Sequence, residues 1–242
     1  GLAGLGHAYA LQKRFDEAFA CLNESLELFR ALDHIPGQGW TLSRLGTAAL
    51  YSGDYAKAEA WLSEHADLMR AAGNPMYLDY SLKYGAFALL EQGNVKGALE
   101  KLLELDIFSE PAELNYNSLL AVAAAAIQMG QLKRALKIVG YAATGLETSH
   151  RTLLPYQHEL YNRNVDQLRA SLGEQAFQAG WEDGKKLTQD QVVQEAWAVC
   201  NPQTVSLEKL PSDRTSLTER EIDVLRLVAQ GLSNQDIADR LI

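Results

Sequence analysis

The amino-acid sequence predicts an all-α protein made of repeated helical hairpins, and three observations support this fold class. The segment 13–18 recurs at 53–58 and again at 93–98, with the same offset each time. Apolar residues around these segments recur at helical spacing, and no stretch alternates apolar and polar residues as a strand does. The first four prolines fall between the periodic stretches, where they interrupt no helix. They are Pro36, Pro75, Pro111 and Pro155.

Each repeat has the same order of turn, large and small residues. In the second repeat these are Gly53, Tyr55, Ala58 and Leu62. The glycine ends one helix where the backbone needs a positive φ, the alanine lets two helices approach, and the leucine lies on the same face as the alanine. A fourth copy begins at Gly130, at a slightly shorter offset. The sequence therefore predicts four units, each a helix, a tight turn and a second helix.

This spacing of small and large residues resembles tetratricopeptide repeats. The residues that carry the resemblance are Leu5-Gly6, Tyr9, Phe15, Ala18 and Leu22 in the first unit and Leu45-Gly46, Gly53, Tyr55, Ala58 and Leu62 in the second. The resemblance implies a superhelical solenoid, with longer linkers because the units exceed the roughly 34 residues of the family's repeat. A generic helical-hairpin array of another kind is the alternative.

Three further helices are predicted where the repeat is lost. Residues 155–172 have one apolar side and end at Gly173, and 174–184 form a shorter helix. Thr188 and Gln191 form a capping box that begins the third helix. We interpret 151–199 as closing helices of the array. The chain is thus divided into the repeat array at 1–150, the closing helices at 151–199, a linker rich in Pro, Ser and Thr at 200–216, and a separate terminal segment at 217–242.

The terminal segment has the pattern of two short helices joined by a tight turn. Thr218 and Glu221 form a capping box, Gly231 supplies a left-handed stop, and Ser233 with Asp236 caps the second helix. A helix, a short turn with glycine and a second helix open a helix-turn-helix.

The segment closely resembles the start of the LuxR-type helix-turn-helix domain. The matching residues are Leu217-Thr218-Glu219-Arg220-Glu221, Val224-Leu225, Gly231, Leu232-Ser233-Asn234, Ile237-Ala238 and Leu241. The resemblance implies transcriptional regulation through promoter DNA. In that family the recognition helix follows the position of Ile242, so 217–242 are interpreted as the N-terminal half of a truncated domain.

The charge of this half domain argues against DNA binding on its own. Its three basic and five acidic side chains give a net charge of −2, which does not hold phosphate. We therefore expect the 242-residue chain not to bind DNA. With the domain completed, we expect Ser233, Asn234 and Gln235 to contact backbone phosphates, with a purely capping role as the alternative for Ser233.

The combination of array, closing helices and terminal segment resembles the large ATP-dependent, MalT-like LuxR regulators. That resemblance implies an ATPase module upstream and repeats that sense an effector or a protein. The chain begins at Gly1 inside one helical pattern and ends at Ile242 inside another. The sequence therefore predicts a fragment of a longer bacterial protein, with ATP bound, if anywhere, in the upstream module and no cofactor in this chain.

Composition excludes several classes of protein. The net charge of −9, from 31 acidic and 22 basic residues, does not fit a basic nucleic-acid wrapper or a polybasic membrane binder. No run of apolar residues is long enough to span a membrane, and no signal peptide is visible. Two cysteines far apart in sequence exclude a disulfide framework and favour a cytoplasmic protein.

No pattern of catalytic or metal-binding residues stands out. The five histidines form no helical pair and no cluster with cysteine. The glycine- and lysine-containing segment 180–186 is one spacer short of a phosphate-binding loop and follows a predicted helix instead of a strand. We expect neither an enzyme nor a metal site here.

The remaining candidate site is the groove formed by the first helix of each unit. Repeat phase directs a mixed set of aromatic and polar residues toward it: Trp40, Ser43, Thr47, Tyr51, Tyr80, Lys83, Phe87 and Glu91. Such a lining suits a peptide or a small effector. Packing against neighbouring repeats is an equally good interpretation of the same residues.

The sequence thus supports two hypotheses about function. In the first, the chain is part of a LuxR-type transcriptional regulator whose array senses an effector or a protein. The alternative is a tetratricopeptide scaffold that binds a protein partner without touching DNA. A homodimer is compatible with both hypotheses.

Overall fold

Helices account for all the regular secondary structure that the computed structural model describes, in residues 1–105, 116–149 and 155–201. The all-α class is confirmed for these residues. Most of the predicted linker and the whole terminal segment 217–242 lie outside them. The helices are α1 (Leu2–Leu11), α2 (Phe15–Ala31), α3 (Ile35–Ser52), α4 (Tyr55–Ala71), α5 (Pro75–Glu91), α6 (Val95–Glu104), α7 (Tyr116–Gln128), α8 (Leu132–Ser149), α9 (Pro155–Leu172), α10 (Glu174–Lys185) and α11 (Gln189–Cys200).

The first eight helices form four hairpins, as the repeat predicts. Helices α1 and α2, α3 and α4, α5 and α6, and α7 and α8 pack as pairs, and successive pairs stack on one another. The turn inside each later pair has a glycine with positive φ, 78° at Gly53, 74° at Gly93 and 75° at Gly130. Lys13 takes this position in the first pair with a φ of 59°. The predicted turn positions and their left-handed backbone are confirmed.

The small and leucine positions of the repeat form the core. Ala58 and Leu62 are fully buried, and so are the alanine and leucine at the equivalent positions one unit before and one unit after them. A Cβ on Gly46 would lie 2.5 Å from the Leu62 Cγ, so only glycine lets α3 and α4 approach this closely. The tetratricopeptide-like packing predicted from the repeat is therefore present.

The register of the repeat also holds between neighbouring hairpins. Arg30 pairs with Glu64, and at the equivalent positions one unit later Arg70 Nε donates to Glu104 Oε1 at 2.9 Å. These pairs are exposed and contribute little stability. They show that consecutive units are related by the same displacement.

Helices α9, α10 and α11 pack onto the last hairpin. Helix α9 lies along α7 and α8, and α10 lies against α8. A Cβ on Gly184 would lie 2.5 Å from the Lys137 carbonyl oxygen, so a glycine of segment 180–186 serves helix packing. The capping box of α11 is confirmed, because Thr188 N donates to Gln191 Oε1 and Gln191 N donates to Thr188 Oγ1.

A charged cluster holds α11 to α8. Arg134 Nε and Lys137 Nζ each donate to the Glu195 carboxylate at 2.8 Å. Burial alone would raise the pKa of Glu195, but these two cations hold it below its usual value. No helix in the described part of the chain is long and apolar enough to cross a membrane.

Candidate ligand site in the repeat groove

The structure places the predicted groove residues at very different depths. Trp40 is 47% exposed, and Tyr51, Tyr80 and Glu91 are half-buried. The other four are buried in the packing between helices. These are Ser43, Thr47, Lys83 and Phe87. The predicted groove residues therefore divide into accessible or half-buried side chains and side chains packed against neighbouring helices.

Helix α9 covers the part of the groove formed by the C-terminal part of α5, at Tyr84, Phe87 and Glu91, which we call the covered half. Arg163 Nη1 donates to Glu91 Oε2 at 3.2 Å, and Gln157 Nε2 donates to the Tyr84 hydroxyl at 3.3 Å. Leu160 is buried and lines a cavity together with Phe87. Tyr84 and Glu91 of α5 thus have intramolecular hydrogen-bond partners on α9.

The open half of the groove contains a pocket of about 410 Å³ between α3, α4 and α5. We call it the Arg44 pocket. Its lining is mainly apolar and aromatic. It consists of Ile35, Pro36, Gly39, Trp40, Ser43, Arg44, His65, Met69, Ala72, Asn74, Tyr77 and Tyr80.

Local sequence positions the walls of this pocket. Helical spacing brings Trp40 and Arg44 to one face of α3, one turn apart. Helix α5 begins at Pro75, and its first turn is fixed because the side chain of Asn74 accepts a hydrogen bond from the backbone N–H of Tyr77. The ring of Tyr77 then lies edge-on to His65 of α4, with ring centroids 6.4 Å apart.

Arg44 is the charged group of the pocket. Its guanidinium carbon lies 4.1 Å from the centroid of the Trp40 ring, and Nη1 is 3.4 Å from His7 Nε2. Its Nε atom is buried without a hydrogen-bond partner. Within the described residues, Arg44 forms no ion pair with a carboxylate. Burial and the nearby Arg44 both lower the pKa of His7, so this neighbour adds no charge near neutral pH.

His65 presents a neutral ring to the pocket. We assign the Ser81 hydroxyl proton to the Tyr77 carbonyl, 2.8 Å away, which makes His65 Nδ1 the donor to Ser81 Oγ. This assignment places the ring proton on Nδ1 and leaves Nε2 as an acceptor. Burial lowers the pKa of His65 to about 4, which keeps the ring uncharged at pH 7.

Tyr80 forms a fixed wall between the two halves. Thr47 donates to the Ser43 carbonyl at 2.7 Å, so the Tyr80 hydroxyl donates to Thr47 Oγ1. The Tyr80 and Tyr84 rings meet edge-on with centroids 4.3 Å apart. Burial raises the pKa of Tyr80, which remains a neutral donor.

Sequence reasoning missed Arg44, His65, Met69 and Tyr77 as pocket residues. Arg44 was detectable, because it follows the predicted groove residue Trp40 by one helical turn. His65 was harder to find, since it lies on α4, the second helix of its unit, whereas the predicted groove residues all lie on first helices. Among the residues with described positions, no three His, Cys, Asp or Glu side chains form a cluster that could hold a metal ion.

Comparison with known protein families finds two matches along the chain. Residues 2–71 match the tetratricopeptide repeat model, and residues 215–242 match the model of bacterial regulatory proteins of the luxR family. Two segments of the chain are thus similar to tetratricopeptide repeats and to luxR-family regulators. The two resemblances read from the sequence are thereby confirmed. The predicted phosphate-contact residues Ser233, Asn234 and Gln235 lie within the LuxR-type match and outside the described residues.

Similar proteins are found in mycobacteria. One from Mycobacterium bovis and two from strains of Mycobacterium tuberculosis, each named an HTH-type transcriptional regulator, are 31% identical to this chain over 114 residues. The match covers 47% of this chain and 12% of each relative, so the chain corresponds to a small part of their length. No solved structure shows a significant match.

Proposed function

We propose that this chain is part of a transcriptional regulator, in which the tetratricopeptide array senses an effector or a protein and the LuxR-type segment contributes to DNA binding. The observation that supports the proposal is the presence of both segments in one chain, at 2–71 and 215–242. Tetratricopeptide arrays offer extended concave surfaces for ligands, and helix-turn-helix domains read DNA.

In this proposal, residues 217–242 help to position the domain on the DNA backbone and do not read the base sequence themselves. By the resemblance to the LuxR-type domain, 217–242 correspond to its first two helices, and the helix that follows them in that family reads the major groove. The amides at the start of the second helix, at Asn234 and Gln235, contact a phosphate once that helix is in place. The net charge of −2 over 217–242 does not favour binding by these residues alone.

A gel-shift series tests this proposal. The 242-residue chain and a version extended by its own gene through the end of the helix-turn-helix domain are compared on a pool of random duplexes at about 50 mM salt, where phosphate contacts are strong. We expect no shift with the shorter chain and enrichment of a sequence motif by the extended one. A shift with the shorter chain would contradict the proposal that the 242-residue chain lacks the helix needed to bind DNA. Failure of the extended chain to shift any duplex favours the scaffold alternative.

The regulator is proposed to be large, with a further module upstream. The 114 matched residues make up 12% of each named relative, so a chain of this kind accounts for a small fraction of such a protein. An ATPase module of the MalT-like kind would carry a glycine-rich loop with Lys followed by Ser or Thr. Sequencing the coding DNA on the upstream side tests this part, and a different module there contradicts the ATP-dependent class.

A further inference from the structure

We propose that the Arg44 pocket binds a small planar molecule that carries one carboxylate, with the carboxylate on Arg44 and the planar body between Trp40 and Tyr77. This inference rests on the proposed sensing function and names the ligand class for it. In a second polar contact, a hydroxyl or an N–H of the ligand donates a hydrogen bond to His65 Nε2.

The shape of the pocket fits a molecule of this size. Its volume of about 410 Å³ lies at the lower end of the range for small-ligand sites. Trp40 and Tyr77 both line the pocket, and their large aromatic side chains are 47% and 45% exposed to water. A planar apolar body would remove these rings from water, which is the main driving force for binding.

The charge of the pocket calls for an anion. Two arginines of the array stack on aromatic rings, Arg14 over Tyr9 at 4.3 Å and Arg44 over Trp40 at 4.1 Å. Arg14 also donates to the Glu17 carboxylate through Nε at 2.9 Å and Nη2 at 2.7 Å. Arg44 has no such partner in the described residues, and its Nε is buried and unsatisfied. A ligand carboxylate would supply the partner that Glu17 gives to Arg14.

The neutral state of His65 limits the ligand to one anionic group. Its Nδ1 proton is committed to Ser81, so only an acceptor lone pair at Nε2 is left for the pocket. No hydrogen bond to Nε2 is made within the described residues. An acceptor repels a second carboxylate and favours a donor, such as a phenolic hydroxyl.

Ligand-observed NMR with the 242-residue chain tests the proposal with three matched probes. They are 4-hydroxyphenylacetate, its neutral amide 4-hydroxyphenylacetamide, and phenylacetate, which lacks the hydroxyl. We expect the first to bind at least about tenfold more tightly than the amide, the ratio expected for a charged hydrogen bond. We expect phenylacetate to bind a few-fold more weakly than 4-hydroxyphenylacetate.

The position of binding is read from the indole signals of the four tryptophans. With ¹⁵N-labelled tryptophan, we expect 4-hydroxyphenylacetate to shift the Trp40 signal, which the Trp40→Phe variant assigns. The signals of Trp181 and Trp197, which lie on α10 and α11, should stay in place.

Two variants decide whether Arg44 is responsible. Arg44→Met should remove the preference for the carboxylate over the amide, and unchanged Trp181 and Trp197 signals would show that the fold is kept. Arg14→Met is the matched control, because it removes a stacked arginine that already has a carboxylate partner. It should leave binding within about twofold of the original chain.

Three outcomes would overturn the proposal. They are no binding of any probe up to about 10 mM, equal binding of acid and amide, and tight binding that survives Arg44→Met. A peptide that binds in an Arg44-dependent way while the aromatic acids do not would also overturn it, in favour of peptide recognition. None of these outcomes depends on DNA, so a failure here is distinct from a failure of the gel-shift series.

Discussion

The open and covered halves of the groove are built from equivalent positions of the repeat, yet their side chains have different surroundings: Arg44 of α3 lines a pocket, whereas Tyr84 of α5 is buried. Arg44 on α3 and Tyr84 on α5 occupy the same position in successive units, and so do Tyr51 and Glu91. On α5, Gln157 and Arg163 of α9 bind Tyr84 and Glu91. On α3, the guanidinium of Arg44 is left without a carboxylate among the described residues.

This difference shows that repeat phase and ligand access are separate properties. Repeat phase follows from local helical geometry, so it assigns a side chain to the groove face. Access depends on what a distant segment places on that face. Here the distant segment is α9, whose contacts with α5 join residues far apart in the sequence.

The largest effect on the difference between the two halves is expected from a substitution that destabilises the packing of α9. Leu168 of α9 is fully buried, and Leu168→Ala should lower the free energy of unfolding by about 3 kcal/mol through lost burial and a cavity. Urea unfolding measures the total effect, and hydrogen exchange of α9 amides shows whether the loss is local. Gln167→Ala, an exposed neighbour, should change stability by less than about 0.5 kcal/mol. Equal stabilities of the two variants would mean that α9 does not depend on this core contact.

The sequence predicts features that depend on local helical geometry, but it does not predict those that depend on distant segments. Ala58, Leu62 and the Gly53 turn were predictable, because their roles depend on residues within one hairpin. Repeat phase assigned Phe87 and Lys83 to the groove face, and the structure buries both of them, since packing between units decides how deep a side chain on that face lies. The exposure of Arg44 to a pocket depends on how α4 and α5 pack beside α3, because residues of all three helices line that pocket. The sequence of a single helix does not determine such a pocket.

Acid should destabilise the open half through His65. Its pKa is lowered to about 4 in the folded protein, so between pH 6.5 and 4 the unfolded chain binds a proton that the folded chain does not. Stability is therefore lost as the pH falls through this window, by up to about 3 kcal/mol near pH 4. Urea unfolding at pH 7, 5 and 4 measures the loss.

A variant series isolates the contribution of His65 from those of the carboxylates. His65→Gln should show a smaller loss between pH 7 and pH 4 than the original chain. His158 on α9 is exposed, and His158→Gln should keep the full loss. A pH dependence that is the same in His65→Gln and in the original chain would assign the acid sensitivity to other groups.

The turn of the first hairpin offers a test with a smaller expected effect. Lys13 has a φ of 59°, which costs a non-glycine residue about 1 kcal/mol, whereas Gly53 takes the equivalent position with no strain. Lys13→Gly should therefore raise the thermal midpoint, with a stabilisation of about 0.5–1 kcal/mol.

The opposite substitution in the second hairpin is the control for this turn. A Cβ on Gly53 would meet nothing within 4 Å, so Gly53→Ala changes only backbone strain. It should destabilise by about 1 kcal/mol. If both substitutions destabilise, the Lys13 side chain contributes a contact that outweighs its backbone strain.

The smallest expected effect concerns the ion pair that fastens α9 to α5. The Arg163 side chain is 55% exposed, so solvent screens its attraction to Glu91 and the pair contributes about 0.5 kcal/mol at most. A double-mutant cycle with Arg163→Ala and Glu91→Gln should give this coupling energy, and about 0.5 M salt should reduce it toward zero. A coupling above about 1.5 kcal/mol would mean that charge holds α9 in place. The expected small value would instead mean that apolar burial of Leu160 and Leu168 holds α9 in place. The ion pair would then serve mainly to give the half-buried Glu91 carboxylate a partner.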